Sequence, residues 1–130
     1  NYLISGKIKL KKVKENLNKK KYIKLIKKNS IIVLPYDASS YKYRTSGIFF
    51  ESIDFNKIIF VTNNTWFSNE LKRFNLYELV INDWSKFDLD KKLTELHIIK
   101  IKKKLTLMRK EYLKFHNQNN FIKILKDTCE

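Results

Sequence analysis

The stretch SIIVLPYDASSYKYRTSGIFFESIDFNKIIFVT, residues 30–62, holds two apolar segments of strand length on either side of a helical one. Residues 31–34 form an unbroken apolar run that a proline ends, and residues 58–61 form a second run. A strand that is apolar on both faces belongs in the middle of a parallel sheet covered by helices. Residues 47–55 read as a helix, with Ser46 as a suitable N-cap. The stretch therefore predicts a strand–helix–strand unit of a parallel sheet.

Strand and helix patterns continue to alternate on both sides of this stretch. Upstream, residues 2–8 read as a short strand, and residues 13–17 and 22–26 carry apolar side chains at helical spacing. Downstream, residues 66–74 read as a helix and residues 79–81 as a third strand. Strands and helices that alternate with short links are typical of the α/β class. We therefore predict an α/β fold with a parallel sheet flanked by helices.

The C-terminal third of the chain, from residue 89 onwards, has a helical pattern throughout. Residues 121–125 predict a last helix. The apolar residues before it have the spacing of one long helix: Leu93, Leu96, Leu105, Met108, Tyr112 and Phe115.

Length and composition indicate one globular domain spanning residues 1–130. The chain is 43% hydrophobic, which argues against disorder, and it has no apolar stretch long enough to cross a bilayer. It begins with Asn1 rather than methionine, so we expect a piece of a longer polypeptide. The single cysteine, Cys129, fits a reducing compartment. We therefore expect a cytoplasmic protein.

The net charge of +15 suggests an anionic partner. Residues 1–28 alone carry eleven lysines and one acid, Glu15. This segment is a solvated face, a patch for anionic lipid or a nucleic-acid surface. Only three basic residues are arginines, whereas nucleic-acid surfaces use arginine for bidentate and stacking contacts. We therefore expect nucleic acid to be the least favoured of these partners.

A candidate anion site follows the first strand, at the start of the helix over residues 47–55. Ligands of parallel α/β sheets bind outside the carboxyl ends of the strands. A helix N-terminus offers free N–H groups and a partial positive charge of about half a unit. Gly47 lets a ligand approach the backbone, Thr45 and Ser46 add hydroxyls, and Arg44 matches phosphate geometry. The chemistry suits phosphate binding, and the alternative is a well-capped helix start.

Residues 33–71, VLPYDASSYKYRTSGIFFESIDFNKIIFVTNNTWFSNEL, resemble the donor-binding half of GT-B glycosyltransferases, in the group related to glycosyltransferase families 1 and 4. The shared order is an apolar strand, Pro-Tyr, a polar loop, Ser-Gly, a helix with a glutamate, a tight turn, an apolar strand and Thr-Trp. Residues 108–126, MRKEYLKFHNQNNFIKILK, resemble the closing helices of that family. The resemblance implies half of a GT-B fold, a Rossmann-like domain at the C-terminus of a two-domain enzyme.

The resemblance also implies which residues contact the donor, a nucleoside diphosphate sugar. Ser46 and Gly47 would bind the diphosphate through backbone amides, with Thr45 beside them. Arg44 and Lys42 would offset its charge.

The glutamate of the helix, Glu51, would accept hydrogen bonds from the ribose hydroxyls. The chain departs from the family at Tyr43, where many members carry an earlier glutamate near the donor sugar. It also has Asn56 where the family's turn has glycine, and asparagine tolerates the left-handed conformation that such a turn needs.

Residues near the strand ends are candidates for the wall of the donor pocket: Tyr36, Asp37, Tyr43 and Trp66. Asp37 alternatively orients its loop through an Asx turn, and Trp66 alternatively packs in the core. The resemblance implies no metal and no cofactor besides the donor substrate. This agrees with the sequence, in which nothing pairs His97 or His116 with other ligands at metal spacing.

The function expected from the resemblance is transfer of a sugar from a nucleoside diphosphate sugar to an acceptor hydroxyl. The acceptor-binding N-terminal domain of the same polypeptide would be the partner, so this fragment alone would be inactive. The alternative is a non-catalytic basic module for nucleic acid or anionic membrane. We expect the lysines at residues 7–28 to lie away from the nucleotide pocket and to favour the anionic cytoplasmic face of a membrane.

Overall fold

The structure is a computed structural model that describes residues 16–129. Three parallel strands form its sheet, in the order β1 (Ile31–Leu34), β2 (Ile58–Thr62) and β3 (Val80–Ile81). β1 pairs with β2, and β2 with β3, in the parallel direction. The strands predicted at residues 31–34, 58–61 and 79–81 are thus confirmed, although Leu79 itself lies in a 3-10 turn.

Helices surround this sheet. In chain order they are α1 (Lys19–Lys28), α2 (Gly47–Asp54), α3 (Trp66–Arg73), α4 (Leu89–Glu95), α5 (Ile98–Phe115) and α6 (Gln118–Cys129). Two 3-10 turns, Tyr77–Leu79 and Trp84–Lys86, flank β3. The α/β class with a parallel sheet, flanking helices and C-terminal helices is confirmed. The predicted strand at residues 2–8 and the start of the helix at residues 13–17 lie outside the described residues.

The position of β1 differs from the prediction. Among the described residues β2 is the middle strand and β1 is at the edge. The first four residues of β2 are all buried, whereas Val33 of β1 is 38% exposed. The apolar run therefore did not distinguish an edge strand from a central one, because an edge strand can carry an apolar residue, such as Val33, that is partly exposed to solvent.

The C-terminal region contains two helices where one long helix was predicted. Leu96 has an extended backbone (φ −75°, ψ 129°) and separates α4 from α5. Leu96 is nevertheless buried in the same core as Leu105 and Met108. The apolar spacing continued across the break because both helices pack on one core. The last helix begins at Gln118 rather than residue 121, since Asn117 Oδ1 accepts a hydrogen bond from the Asn120 N–H group at 2.9 Å and caps it.

The core lies between the sheet and helices α2, α3 and α5. Its largest fully buried side chains come from those helices, from β2 and from the turn before β3: Phe49, Ile53, Ile59, Phe60, Phe67, Leu71, Leu76, Leu79, Ile101, Leu105 and Met108. Within residues 16–129, no helix combines the length and the apolar character needed to cross a membrane.

Left-handed asparagines end both α2 and α3. Asn56 (φ 52°) follows α2, where the N–H groups of Asn56 and Lys57 donate to the carbonyls of Ile53 and Ser52. This pattern is a Schellman motif, which satisfies carbonyls at the helix end. The prediction that Asn56 supports the turn in place of glycine is confirmed. Asn75 (φ 55°) ends α3 by the same pattern.

Candidate functional site

The candidate site lies where the chain leaves the carboxyl end of β1 and enters α2. In the connecting loop, residues 35–46, Asp37 Oδ2 accepts a hydrogen bond from the Ser40 N–H group, three residues on, at 2.8 Å. Hydrogen bonds from the Ser39 hydroxyl and the Ser40 backbone lower the pKa of Asp37. Asp37 therefore bonds within its own loop, although not in the i to i+2 geometry of an Asx turn, and its side chain remains exposed. Its place in the wall of a donor pocket stays a prediction.

Aromatic side chains line the base of this loop. The rings of Tyr36 and Tyr41 stack with their centroids 4.3 Å apart, and both contact the buried Phe67. Trp66 packs against Phe49, at 5.9 Å between centroids, and against two other rings. Of the candidate pocket-wall residues, Tyr36 and Trp66 are therefore half-buried in packing contacts. Tyr43 is 82% exposed.

The N-terminus of α2 is open. Ser46 occupies the N-cap position, but its side chain makes no capping hydrogen bond, so the expected side-chain cap is absent. The Phe49 N–H group donates to the Ser46 carbonyl at 3.1 Å. Within residues 16–129, the N–H groups of Gly47 and Ile48 have no hydrogen-bond partner. Two backbone donors at the positive end of a helix are therefore unpaired within the described part of the chain.

Neither the backbone conformation nor the packing around position 47 explains why the residue there is glycine. Its φ is not positive, and a Cβ built on Gly47 would meet no atom within 4 Å. Neither a turn nor packing of the described residues requires a glycine here.

Basic residues precede this helix start. Arg44, Thr45 and Lys42 are exposed. The salt bridges within residues 16–129 use other bases, namely Arg73, Lys86, Lys104 and Arg109. Lys42 lies 5.3 Å from the ring centroid of the neighbouring Tyr43. The charges of Arg44 and Lys42 are thus not neutralised by an ion pair with a described residue.

Glu51 is half-buried in the second turn of α2 and contacts a residue that sequence reasoning missed. The hydroxyl of Tyr22, on α1, donates a hydrogen bond to Glu51 Oε2. Burial, followed by this hydrogen bond and the charge of Glu51, raises the pKa of Tyr22. The apolar spacing of residues 22–26 located Tyr22 on the packing face of a helix. No local pattern pairs it with a carboxylate 29 positions away.

Helix α1 therefore lies beside the candidate site. A second hydrogen bond joins the other end of α1 to the turn after α2, where Lys57 Nζ donates to the Lys27 carbonyl at 2.8 Å. Lys19 precedes Tyr22 by three residues and shares its helix face. Within residues 16–129, no side-chain contact joins a lysine of α1 to residues 42–47, so the expectation that the lysines lie away from the site stays a prediction. Lysines 7–14 lie outside the described residues.

A cavity of about 300 Å³ lies elsewhere, between α2 and α5. It is lined by Phe50, Ile53, Asp54, Arg109, Tyr112, Leu113 and His116. None of the residues predicted to bind the donor lines it. The candidate site is instead an open surface at the start of α2, built from backbone donors, exposed bases and one carboxylate.

The chemistry that this surface offers is recognition of an anion that also carries hydroxyl groups. The free amides and Arg44 suit phosphate oxygens, and Glu51 accepts hydrogen bonds. In the described part of the chain, no group of three or more His, Cys, Asp or Glu side chains could hold a metal ion. No protein-family model matches the chain, and neither a curated protein nor a solved structure shows significant similarity to it.

Proposed function

We propose that this chain is the donor-binding, Rossmann-like half of a GT-B glycosyltransferase and binds a nucleoside diphosphate sugar at the N-terminus of α2. The observation that carries the proposal is the open helix start. Gly47 and Ile48 present unpartnered N–H groups, and nothing in the described structure requires a glycine at position 47. Both facts are expected where a diphosphate approaches the backbone.

The electrostatics of this surface favour a diphosphate. The helix contributes a partial positive charge of about half a unit at its N-terminus. Arg44 and Lys42 are exposed and form no salt bridge within residues 16–129. In the transfer reaction, negative charge builds up on the departing nucleoside diphosphate. Positive groups already fixed around it stabilise the transition state more than the ground state.

Glu51 supplies the acceptor that a nucleotide's sugar requires. It lies one helical turn after Gly47, and one of its carboxylate oxygens has no hydrogen-bond partner among the described residues. Ribose hydroxyls are donors, so this oxygen can accept from them when the diphosphate is bound at the helix start. The two contacts together would distinguish a nucleoside diphosphate from free pyrophosphate.

The proposal divides the reaction between two domains. This chain holds the donor and its leaving group, and the acceptor-binding domain of the same polypeptide supplies the hydroxyl that attacks the sugar. We therefore expect nucleotide binding but no sugar transfer from the chain by itself. A sugar transferred by the isolated chain would contradict this division.

Calorimetric titration with UDP, GDP and ADP tests the proposal. At least one should bind, and Gly47→Val should weaken that binding by about tenfold or more, the loss expected for hydrogen bonds to a charged group. Because a Cβ at position 47 meets no neighbour, thermal unfolding of the variant should match the wild type. Arg44→Gln should also weaken binding, whereas Arg73→Gln, an equal charge change on α3, should not. Failure of all three nucleotides to bind would refute the proposal.

A basic binding module for anionic membrane is the second candidate. It is favoured by the exposed lysines along α1: Lys19, Lys20, Lys21, Lys24, Lys27 and Lys28. Vesicles containing anionic lipid should then sediment the chain, and the effect should fade as salt rises. Vesicle binding without any nucleotide binding would favour this candidate over the glycosyltransferase.

A further inference from the structure

One side-chain contact joins the two helices that border the candidate site. The Tyr22 hydroxyl of α1 donates to Glu51 Oε2 of α2. The Tyr22 side chain is half-buried. A second hydrogen bond, from Lys57 in the turn after α2 to the Lys27 carbonyl of α1, lies farther from the helix starts. Of these two contacts, the one made by Tyr22 lies nearer the site.

A second glutamate in the fold shows what a fully engaged carboxylate looks like. Glu70 of α3 accepts from the Tyr112 hydroxyl at 2.6 Å, and Arg73 donates to both of its oxygens at 2.9 and 3.0 Å. Glu51 has the same kind of tyrosine partner but no arginine. Within residues 16–129, its Oε1 atom has no hydrogen-bond partner. Tyr22 thus holds one oxygen of Glu51 and leaves the other available.

We propose that Tyr22 is a positioning residue for Glu51, which it holds so that Oε1 is presented to the ribose hydroxyls of the nucleotide. The inference rests on the proposed function, since it assumes that Glu51 binds ribose. Tyr22 itself does not touch the ligand. A carboxylate that is fixed before binding loses less conformational freedom when the ligand arrives, and this preorganisation increases affinity.

The inference predicts an effect confined to the sugar of the nucleotide. Tyr22→Phe removes the hydroxyl and keeps the ring, so packing of α1 on α2 is retained. Ordering a freed side chain on binding lowers affinity by about two- to tenfold. We expect that loss for the tightest binder among UDP, GDP and ADP. The matching 2′,3′-dideoxynucleotide, which has no ribose hydroxyls to contact Glu51, should bind wild type and Tyr22→Phe equally.

The experiment measures the ratio of the two affinities, ribonucleotide over dideoxynucleotide, in wild type and four variants. Tyr22→Phe should lower the ratio, and Glu51→Ala should lower it further. Adding Tyr22→Phe to Glu51→Ala should change nothing more, because Tyr22 acts only through Glu51. Tyr77→Phe is the matched control, since Tyr77 is exposed in the turn that leads into β3, and its ratio should equal that of wild type.

Different outcomes separate this inference from the proposed function. If no nucleotide binds the wild type, both the proposed function and this inference are refuted. If Glu51→Ala lowers the ratio but Tyr22→Phe does not, the inference alone is overturned. Tighter ribonucleotide binding by Tyr22→Phe also overturns it, because Tyr22 would then compete with the ligand for Glu51. A purely structural role for Tyr22 would lower thermal stability and leave the ratio unchanged.

Discussion

Helices α2 and α3 each follow a parallel strand of the same sheet, have eight residues each and end in the same asparagine motif, yet they begin differently. Thr65 and Ser68 form a capping box at the start of α3, with bonds of 3.2 and 3.1 Å, and the Trp66 N–H group donates to the Tyr41 carbonyl. The start of α2 has no side-chain cap. The N–H groups of Trp66 and Ser68 at the start of α3 are thus engaged, whereas those of Gly47 and Ile48 at the start of α2 have no partner within residues 16–129.

The glutamates of the two helices repeat this difference. Glu70 of α3 has both oxygens engaged by Tyr112 and Arg73, and its side chain is only 12% exposed. Glu51 of α2 has one oxygen engaged by Tyr22 and one without a described partner. Groups that a fold needs for stability are normally satisfied within it. Both helices contribute to the core, but only α2 has a glutamate oxygen and first-turn N–H groups at its N-cap without a side-chain cap or a partner within residues 16–129.

Replacing each of the two glutamates with alanine gives the largest expected effects. Glu51→Ala should lower nucleotide affinity about ten- to a hundredfold, the loss expected for a hydrogen bond worth roughly 1.5–3 kcal/mol, with little change in thermal stability. Glu70→Ala should instead lower the free energy of unfolding by about 1–3 kcal/mol and leave affinity unchanged. Calorimetric titration and urea unfolding measure the two quantities. If both variants change the same quantity, the distinction between the helices is lost.

Removing the N-cap side chains sharpens the comparison of the helix starts. Thr65→Ala should cost about 1–2 kcal/mol of stability, because it deletes both the cap on the Ser68 N–H group and the hydrogen bond from the Thr65 hydroxyl to the Thr62 carbonyl. Ser46→Ala should stay within about 0.5 kcal/mol of wild type, since the Ser46 side chain makes no capping bond. Chemical denaturation of both variants checks this. A cost at Ser46 equal to that at Thr65 would mean that α2 is capped after all.

The end of α3 tests the left-handed asparagine motif that α2 and α3 have in common. Asn75→Ala places a non-glycine residue without a helpful side chain in the left-handed region and should cost about 1 kcal/mol. Asn75→Gly should be neutral or stabilising, because glycine adopts that conformation freely. The melting temperatures of the two variants give the comparison. Equal destabilisation by alanine and glycine would show that the asparagine side chain, and not the backbone conformation, matters.

The smallest effect is expected at alkaline pH. Burial, followed by the hydrogen bond to Glu70, raises the pKa of Tyr112 above its ordinary value. The folded state therefore holds this proton more tightly than the unfolded chain. The resulting stability is fully present below about pH 10 and is lost as the pH rises toward the folded pKa. Tyr112→Phe should show a shallower fall in the free energy of unfolding above pH 10 than wild type. Parallel curves would contradict the assigned cause.

Part of the candidate site was predictable from local sequence. Ser46 and Gly47 follow a polar loop after an apolar strand and precede a helical pattern, so the sequence located the helix start within its own neighbourhood. It also predicted the left-handed turn at Asn56, because that conformation depends on the residue itself. What it could not predict was that Ser46 would leave its capping bond unmade, since that depends on how the whole loop is oriented.

The sequence by itself determined the α/β class, the positions of three strands and the helix after each of the first two, because strand and helix patterns are properties of neighbouring residues. Only the tertiary structure decided that β1 is an edge strand among the described residues, that α4 and α5 are separate, and that Tyr22 contacts Glu51. These features depend on which segments pack together. Packing brings together residues far apart in the chain, and the spacing of residues within one segment carries no record of its partner.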